Sequence, residues 1–194
     1  FLIAILSPFL GAVADLRGFK KLLCFLFMVL GTVGTLWMAF IGQGEWQAAA
    51  AAYGISMFGF TASCVFYDSL LPSIAPGPEA NYASSLGYSL GYLGGGVLFL
   101  LNVVMYLKPE FFGFSGPAEA VRASFFTVAV WWAAFSIPLF LWVPEPRQAT
   151  GDPADARVNI ILAGFHQLIH TIRKILLDRN TALFLVAYWL YIDG

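Results

Sequence analysis

Charge is confined to a few places along this chain. Four stretches of 22 to 28 residues carry no charged side chain, lying between Lys21 and Glu45, Glu45 and Asp68, Glu79 and Lys108, and Arg122 and Glu145. Hydrocarbon about 30 Å thick takes roughly 20 residues of helix to cross, and it offers no water to unpaired N–H and C=O groups. Each stretch is therefore read as a complete membrane-spanning helix. Phe1–Val13 and Thr181–Gly194 are equally apolar but shorter, and read as two partial spans. The fold class is an all-α membrane protein with four complete and two partial transmembrane helices. Of the 194 residues, 60% are hydrophobic and 11% charged, where a soluble domain has about 25% charged residues to face water. A net charge of -1 leaves no basic footprint, so nucleic acid is excluded as a partner and the lipid bilayer is the expected surrounding. Cys24 and Cys64 both lie in apolar stretches and read as packing residues; no metal site and no cofactor is expected.

Orientation follows from Lys and Arg, which are retained in cytoplasmic loops. One set of alternate loops holds eight of them (Arg17, Lys20, Lys21, Arg147, Arg157, Arg173, Lys174, Arg179) and the other holds Lys108 and Arg122 alone. The loops around Asp15–Lys21, Leu71–Asn81 and Pro144–Arg179 are thus expected in the cytoplasm, and Gly42–Trp46 and Lys108–Arg122 outside. The segment from Pro144 to Pro153 is rich in Pro, Gly and charge and breaks the helical pattern. After it, Ile161, Phe165, Leu168, Ile172 and Ile175 recur at helical spacing with His166, His170, Arg173 and Lys174 largely opposite, an amphipathic helix for the inner membrane surface. Three regions result: an N-terminal bundle over 1–143, a cytoplasmic linker over 144–179, and the start of a second bundle over 180–194.

Three groups of residues carry candidate chemistry. In the first loop, Gly11, Asp15, Gly18 and Lys20 combine a small packing residue, a carboxylate at a helix end, a turn glycine and a retained cation, with Arg17 between them. Gly87, Gly91 and Gly95 stand four apart on one helical face, the spacing that lets helices pack closely in lipid. Asp68 and Asp193 are acidic residues inside or bordering apolar spans, where a carboxylate is costly enough to imply a role. Counting about 1.5 Å per residue from Gln47 and Asn180, Asp68 lies about 32 Å along its span, near the cytoplasmic interface, and Asp193 about 20 Å along its own. Tyr53, Ser56, Tyr67, Tyr188 and Tyr191 are the polar side chains expected to line a cavity with them. His166 and His170 have the spacing of a zinc-protease helix, but Gln167 stands where its general base belongs, so they read as a polar-face pair.

Gly11, Asp15, Gly18 and Lys20 match in spacing the signature loop between the second and third helices of the major facilitator superfamily, which this chain resembles. The family's Arg directly after the Asp is replaced by Leu16, with Arg17 one position later. The strings Phe66-Tyr-Asp-Ser-Leu-Leu-Pro72, Ser85-Leu-Gly-Tyr-Ser-Leu-Gly-Tyr-Leu-Gly-Gly95 and Ala187-Tyr-Trp-Leu-Tyr-Ile-Asp-Gly194 are similar to the vacuole-effluxer-like branch, related to fungal autophagy-linked exporters of amino acids. The resemblance runs over essentially the whole chain. It implies a major-facilitator-type bundle of two six-helix halves, of which this would be an internal stretch from helix two to the start of helix seven. It also implies a secondary transporter of a small-molecule substrate, a small polar solute such as an amino acid, with proton coupling as one option and no enzyme activity. Gly11, Asp15, Arg17, Gly18 and Lys20 would then gate, and Asp193, Tyr191, Asp68 and Tyr67 would serve the substrate or coupling ion. The expected location is the plasma (inner) membrane of a bacterium or the vacuole of a fungus. Helix four lacks the arginine that many proton-coupled drug antiporters carry, which disfavours that class. A non-transporting membrane scaffold or receptor is the competing reading. An integral-membrane enzyme fits less well, because the polar groups scatter to opposite sides of the membrane.

Overall fold

The computed structural model describes residues 18–75, 79–145 and 177–193, with Gly11, Gly77, Ile169, His170 and Arg173 as isolated positions. The chain divides into two compact units, Gly18–Arg147 in one, and Phe1–Arg17 with Gln148–Gly194 in the other. The first unit holds α1 (Lys20–Met38), α2 (Trp46–Ile74), α3 (Glu79–Leu107) and α4 (Pro117–Trp142), with a 3₁₀ turn at Pro109–Phe112. The second holds α5 (Arg179–Asp193). Helices α1 to α4 are all long and apolar enough to cross a membrane.

Two of their ends overrun the charged residues that bracket the spans in the sequence. Helix α2 runs through Asp68 and Pro72 to Ile74, and α3 begins at Glu79, both inside the loop expected at Leu71–Asn81. Helix α4 starts at Pro117, before Arg122. At 29 residues, α2 and α3 are each about 43 Å long, more than hydrocarbon requires, so their end turns have room for charge at the interface. Pro117 suits a first turn, where its missing N–H would have had no helical partner.

The centre of this unit is the seam between α1 and α2. On α2 the buried residues Ala52, Ser56, Gly59, Ser63, Phe66 and Leu70 recur at alternating steps of four and three, a single stripe facing α1. Small residues dominate the upper half of that stripe, and α1 answers with Gly31 and Gly34. A Cβ added at Gly59 would come within 3.0 Å of the Gly31 backbone, and one at Gly34 would lie 2.9 Å from the Ser56 nitrogen. The two backbones are thus in direct contact, a closeness that only glycine permits. Inside the seam the Thr35 and Ser56 hydroxyls are 2.6 Å apart, and Thr35 donates to the Gly31 carbonyl at 2.9 Å. With the Thr35 proton on Gly31, Ser56 is the donor of the pair, and both buried hydroxyls are satisfied. Lower down, Phe27 stacks on the buried Phe66 ring, with centroids 5.8 Å apart.

Helix α4 joins this pair through Trp132, which covers Gly31 and meets the Phe60 ring edge to face at 5.7 Å. Helix α3 is held mainly by α4, with the Thr127 hydroxyl 2.9 Å from the Asn102 side-chain oxygen. Only Leu98 and Met105 of α3 are buried, while Tyr88, Leu93, Phe99 and Leu100 lie open. So much open apolar surface is untenable in water and suits lipid or neighbouring helices.

The ends of the helices confirm that successive spans alternate in direction. Helix α1 has no side-chain cap of its own at Phe19. Its Lys21 N–H instead donates to Glu145 Oε1 at 3.0 Å, and the Lys21 ammonium donates to the Val143 carbonyl at 2.5 Å, at the end of α4. Each helix end satisfies groups the other leaves without a helical partner. At the opposite end, Met38, Gly42 and Gln43 line one crevice with Ala118, Val121 and Arg122, so both turns expected outside lie at the same end of the unit.

Gly59→Val drives a branched side chain into the Gly31 backbone and should destabilise the full-length protein by about 1–3 kcal/mol, read as a lower melting temperature in detergent. Gly54→Ala, on the open face of the same helix with nothing within 4 Å of the new Cβ, should leave it nearly unchanged.

Candidate functional site

The face of α2 opposite the seam is open and carries its polar groups. Tyr53, Tyr67 and Asp68 are exposed, whereas Ser56, expected to line a cavity, is buried in the seam against Thr35. The reason is register: Ser56 falls on the stripe with Ala52 and Gly59, while Asp68 falls on the stripe with Thr61 and Cys64.

Around Asp68 the structure gathers more aromatic hydroxyls than the sequence singled out. The Tyr67 hydroxyl of α2 sits 3.7 Å from where a Cβ on Gly87 of α3 would be, so it reaches across to the neighbouring helix. Tyr88, next to Gly87, is within electrostatic reach of Asp68, Cys64, Tyr67 and Tyr92. Asp68 with Tyr67 and Tyr88, and Tyr92 one turn further along α3, put donors and acceptors on an otherwise apolar surface, able to hydrogen-bond a polar solute or exchange a proton with it. Tyr88 and Tyr92 were not expected. Their signal was the spacing of one turn, which puts both on the side of α3 that carries Tyr67's neighbour.

The three spaced glycines make no close backbone approach among the described residues. Gly87 faces Tyr67, but nothing lies within 4 Å of a Cβ at Gly91 or Gly95. Among the described residues, the close helix approach is made at Gly31, Gly34 and Gly59 instead.

In the first loop, Gly18 adopts a positive φ of 66°, a conformation that favours glycine, and Lys20 opens α1. Gly11 is helical, while Asp15 and Arg17 lie outside the described residues. So does most of the expected amphipathic helix, including His166; Ile169, His170 and Arg173 are helical and exposed.

In the second unit, Tyr188 and Tyr191 are exposed on α5, Tyr188 stacks with Phe184 at 6.4 Å, and Asp193 is the last residue of the helix. The start of α5 is fixed by Asp178, which accepts from the Thr181 hydroxyl at 2.5 Å and from the Asn180 N–H at 3.1 Å. These two donors, the hydroxyl foremost, hold the Asp178 carboxyl below the ordinary carboxylate range. A carboxyl lowered on folding supports the helix fully above its unfolded pKa and loses that support as pH falls through the lowered value. Amide exchange at Asn180 and Thr181 should therefore be slow at neutral pH and quicken, beyond the intrinsic rate, once Asp178 takes up its proton. Asp178→Ala should remove the protection at every pH.

An all-helical bundle with four membrane-crossing helices, alternating in direction and carrying a polar patch on an open face, defines an integral-membrane protein of the major-facilitator type. The chain belongs to the vacuole effluxer Atg22-like family, whose model matches residues 1–83 and 78–194. It is 34% identical, over its whole length and 44% of the relative's, to the uncharacterized MFS-type transporter YxiO of Bacillus subtilis (strain 168). It is 26% identical over 118 residues, 57% of this chain and 19% of the relative's length, to autophagy-related protein 22-1 of Penicillium rubens. Autophagy-related protein 22 of Yarrowia lipolytica is also 26% identical, over 57% of this chain and 21% of its own length. The chain thus spans less than half the length of the curated relatives it matches. No solved structure matches it.

Proposed function

We propose that the protein to which this chain belongs is a secondary transporter that moves a small polar solute, such as an amino acid, by alternating access between two helical bundles. The observation that carries this reading is the patch of Asp68, Tyr67, Tyr88 and Tyr92 on the open side of α2 and α3. A carboxylate and phenols at the end of an apolar span are costly in lipid and serve a polar ligand or a proton in a cavity. The name of the relative matched over the whole chain supports transport, and the family's description supports efflux. That relative is bacterial, which favours the plasma membrane, with the Lys20–Lys21 end in the cytoplasm by the distribution of cations. On this reading the Gly11–Lys20 loop gates that side. Asp68 and Tyr67 on α2, and Tyr191 and Asp193 on α5, are the side chains that serve substrate or a coupling proton.

Two substitutions in the full-length protein, reconstituted in vesicles, test it. Asp68→Asn should lower uptake of the solute about tenfold or more, a loss of about 1.4 kcal/mol, without changing the amount inserted. Asp193→Asn should abolish proton-driven accumulation, keeping solute exchange if Asp193 carries only the proton and losing exchange if it holds the solute. Vesicles that move no amino acid or other small polar solute would overturn the transporter reading in favour of a scaffold. Full accumulation and exchange in both variants would remove both carboxylates from the site.

A further inference from the structure

A groove of about 650 Å³ runs between α1 and α4. Phe25, Val29 and Val33 form one wall and Val130, Ala134 and Leu141 the other. Thr32 is its one hydroxyl, and that hydroxyl is turned to the Met28 sulfur at 3.5 Å. We propose that this groove holds one acyl chain of a bilayer phospholipid, with the lipid phosphate at the Lys20–Lys21 end.

Depth, shape and charge each point to that occupant. Phe25 and Val33 lie five and thirteen residues after Lys20, about 8 and 20 Å along α1, while Leu141 and Val130 lie about 2 and 18 Å from the end of α4 at Trp142. The groove is therefore one leaflet deep, about half of the 30 Å hydrocarbon, and it begins where the cations are. Its walls are mostly branched and aromatic side chains, with Ala133 and Ala134 letting the groove deepen between them. Such a slot suits a thin, flexible chain. At the charged end Phe25 and Phe140 meet edge to face at 5.1 Å, one turn below the clamp in which Lys21 bonds the Val143 carbonyl. The Lys21 ammonium has three N–H donors, and a phosphodiester oxygen beside it accepts a charge-assisted hydrogen bond. Among the described residues no charge falls between Lys21 and Glu45 on α1 or between Arg122 and Glu145 on α4, so the charges at this end are Lys20, Lys21 and Glu145, two cations to one carboxylate.

The inference rests on the membrane-spanning fold and not on transport. Full-length protein in lipid nanodiscs, doped with a phospholipid that carries a diazirine in one acyl chain, is irradiated and digested. The peptides over 25–33 and 130–141 should be labelled about fivefold above the equally lipid-accessible α3 peptide over 97–107, a preference of about 1 kcal/mol. Val33→Trp and Ala134→Trp each fill the groove from a different wall, at positions exposed enough to keep the fold, which a melting curve checks. Either should bring labelling of both walls down to the α3 level. Replacing Lys20 and Lys21 together by Gln should lower it too, since the phosphate then loses its cation. Equal labelling of all three peptides in the wild type means passing contact with bulk lipid and overturns the proposal, whether or not a variant folds. Cross-links from the walls to another segment of the protein, or labelling unchanged in a folded Trp variant, overturn it as well.

Discussion

Every backbone N–H and C=O in hydrocarbon has to be paired within the protein, and the rest of this structure follows from that demand. Between Lys21 and Glu145 the chain meets it with four long helices joined by short turns. It leaves one difficulty at the helix ends, where the last turns have groups with no helical partner. At the interface these are met by neighbours distant in sequence: Glu145 caps α1 and Lys21 caps α4. The same pair ties the start of α1 to the end of α4.

Within the membrane, burial of apolar surface does not hold helices together, because lipid tails are as apolar as leucine. Contact has to come from close fit. The α1–α2 seam provides it by removing side chains at Gly31, Gly34 and Gly59 and adding one hydrogen bond between Thr35 and Ser56. One rigid pair of helices then has an outer face free for other work. On α2 that face carries Tyr53, Tyr67 and Asp68, and α3 brings Gly87 and Tyr88 up to Tyr67 and Asp68. The scaffold and the polar patch are thus two sides of the same helix, separated by less than half a turn.

The number of spans and their alternation were legible in the sequence, because a run of more than twenty uncharged residues admits few other structures. Helix ends were less so. Asp68 and Arg122, charged residues that bracket the uncharged runs, both sit inside helices, since an end turn at the interface tolerates charge and Pro117 falls in a first turn, where a missing N–H does no harm. Among the described residues, the closest helix approach is made by other glycines than the three that stand out in the sequence. Gly87, Gly91 and Gly95 repeat strictly every four residues and attract attention, whereas the glycines that pack are split between two helices and complete their stripe with Ala52, Ser56 and Ala62. A stripe of small residues on α2 facing Gly31 and Gly34 was readable once small side chains were counted together. The Lys21–Glu145 clamp was not, because 124 residues separate its partners and nothing local links them.

Alternating passage of α1 to α4 through the bilayer is the claim on which the seam, the polar patch and the lipid groove all depend. Single cysteines at Gln43, Gly113 and Gln148, placed in a functional full-length protein with Cys24 and Cys64 replaced, can be probed with a membrane-impermeant thiol reagent before and after permeabilisation. Gln43 and Gly113 should label from the same, outer side, and Gln148 only after permeabilisation. If Gln43 and Gly113 fell on opposite sides, or Gln148 labelled together with them in intact cells, the four-span arrangement would be contradicted.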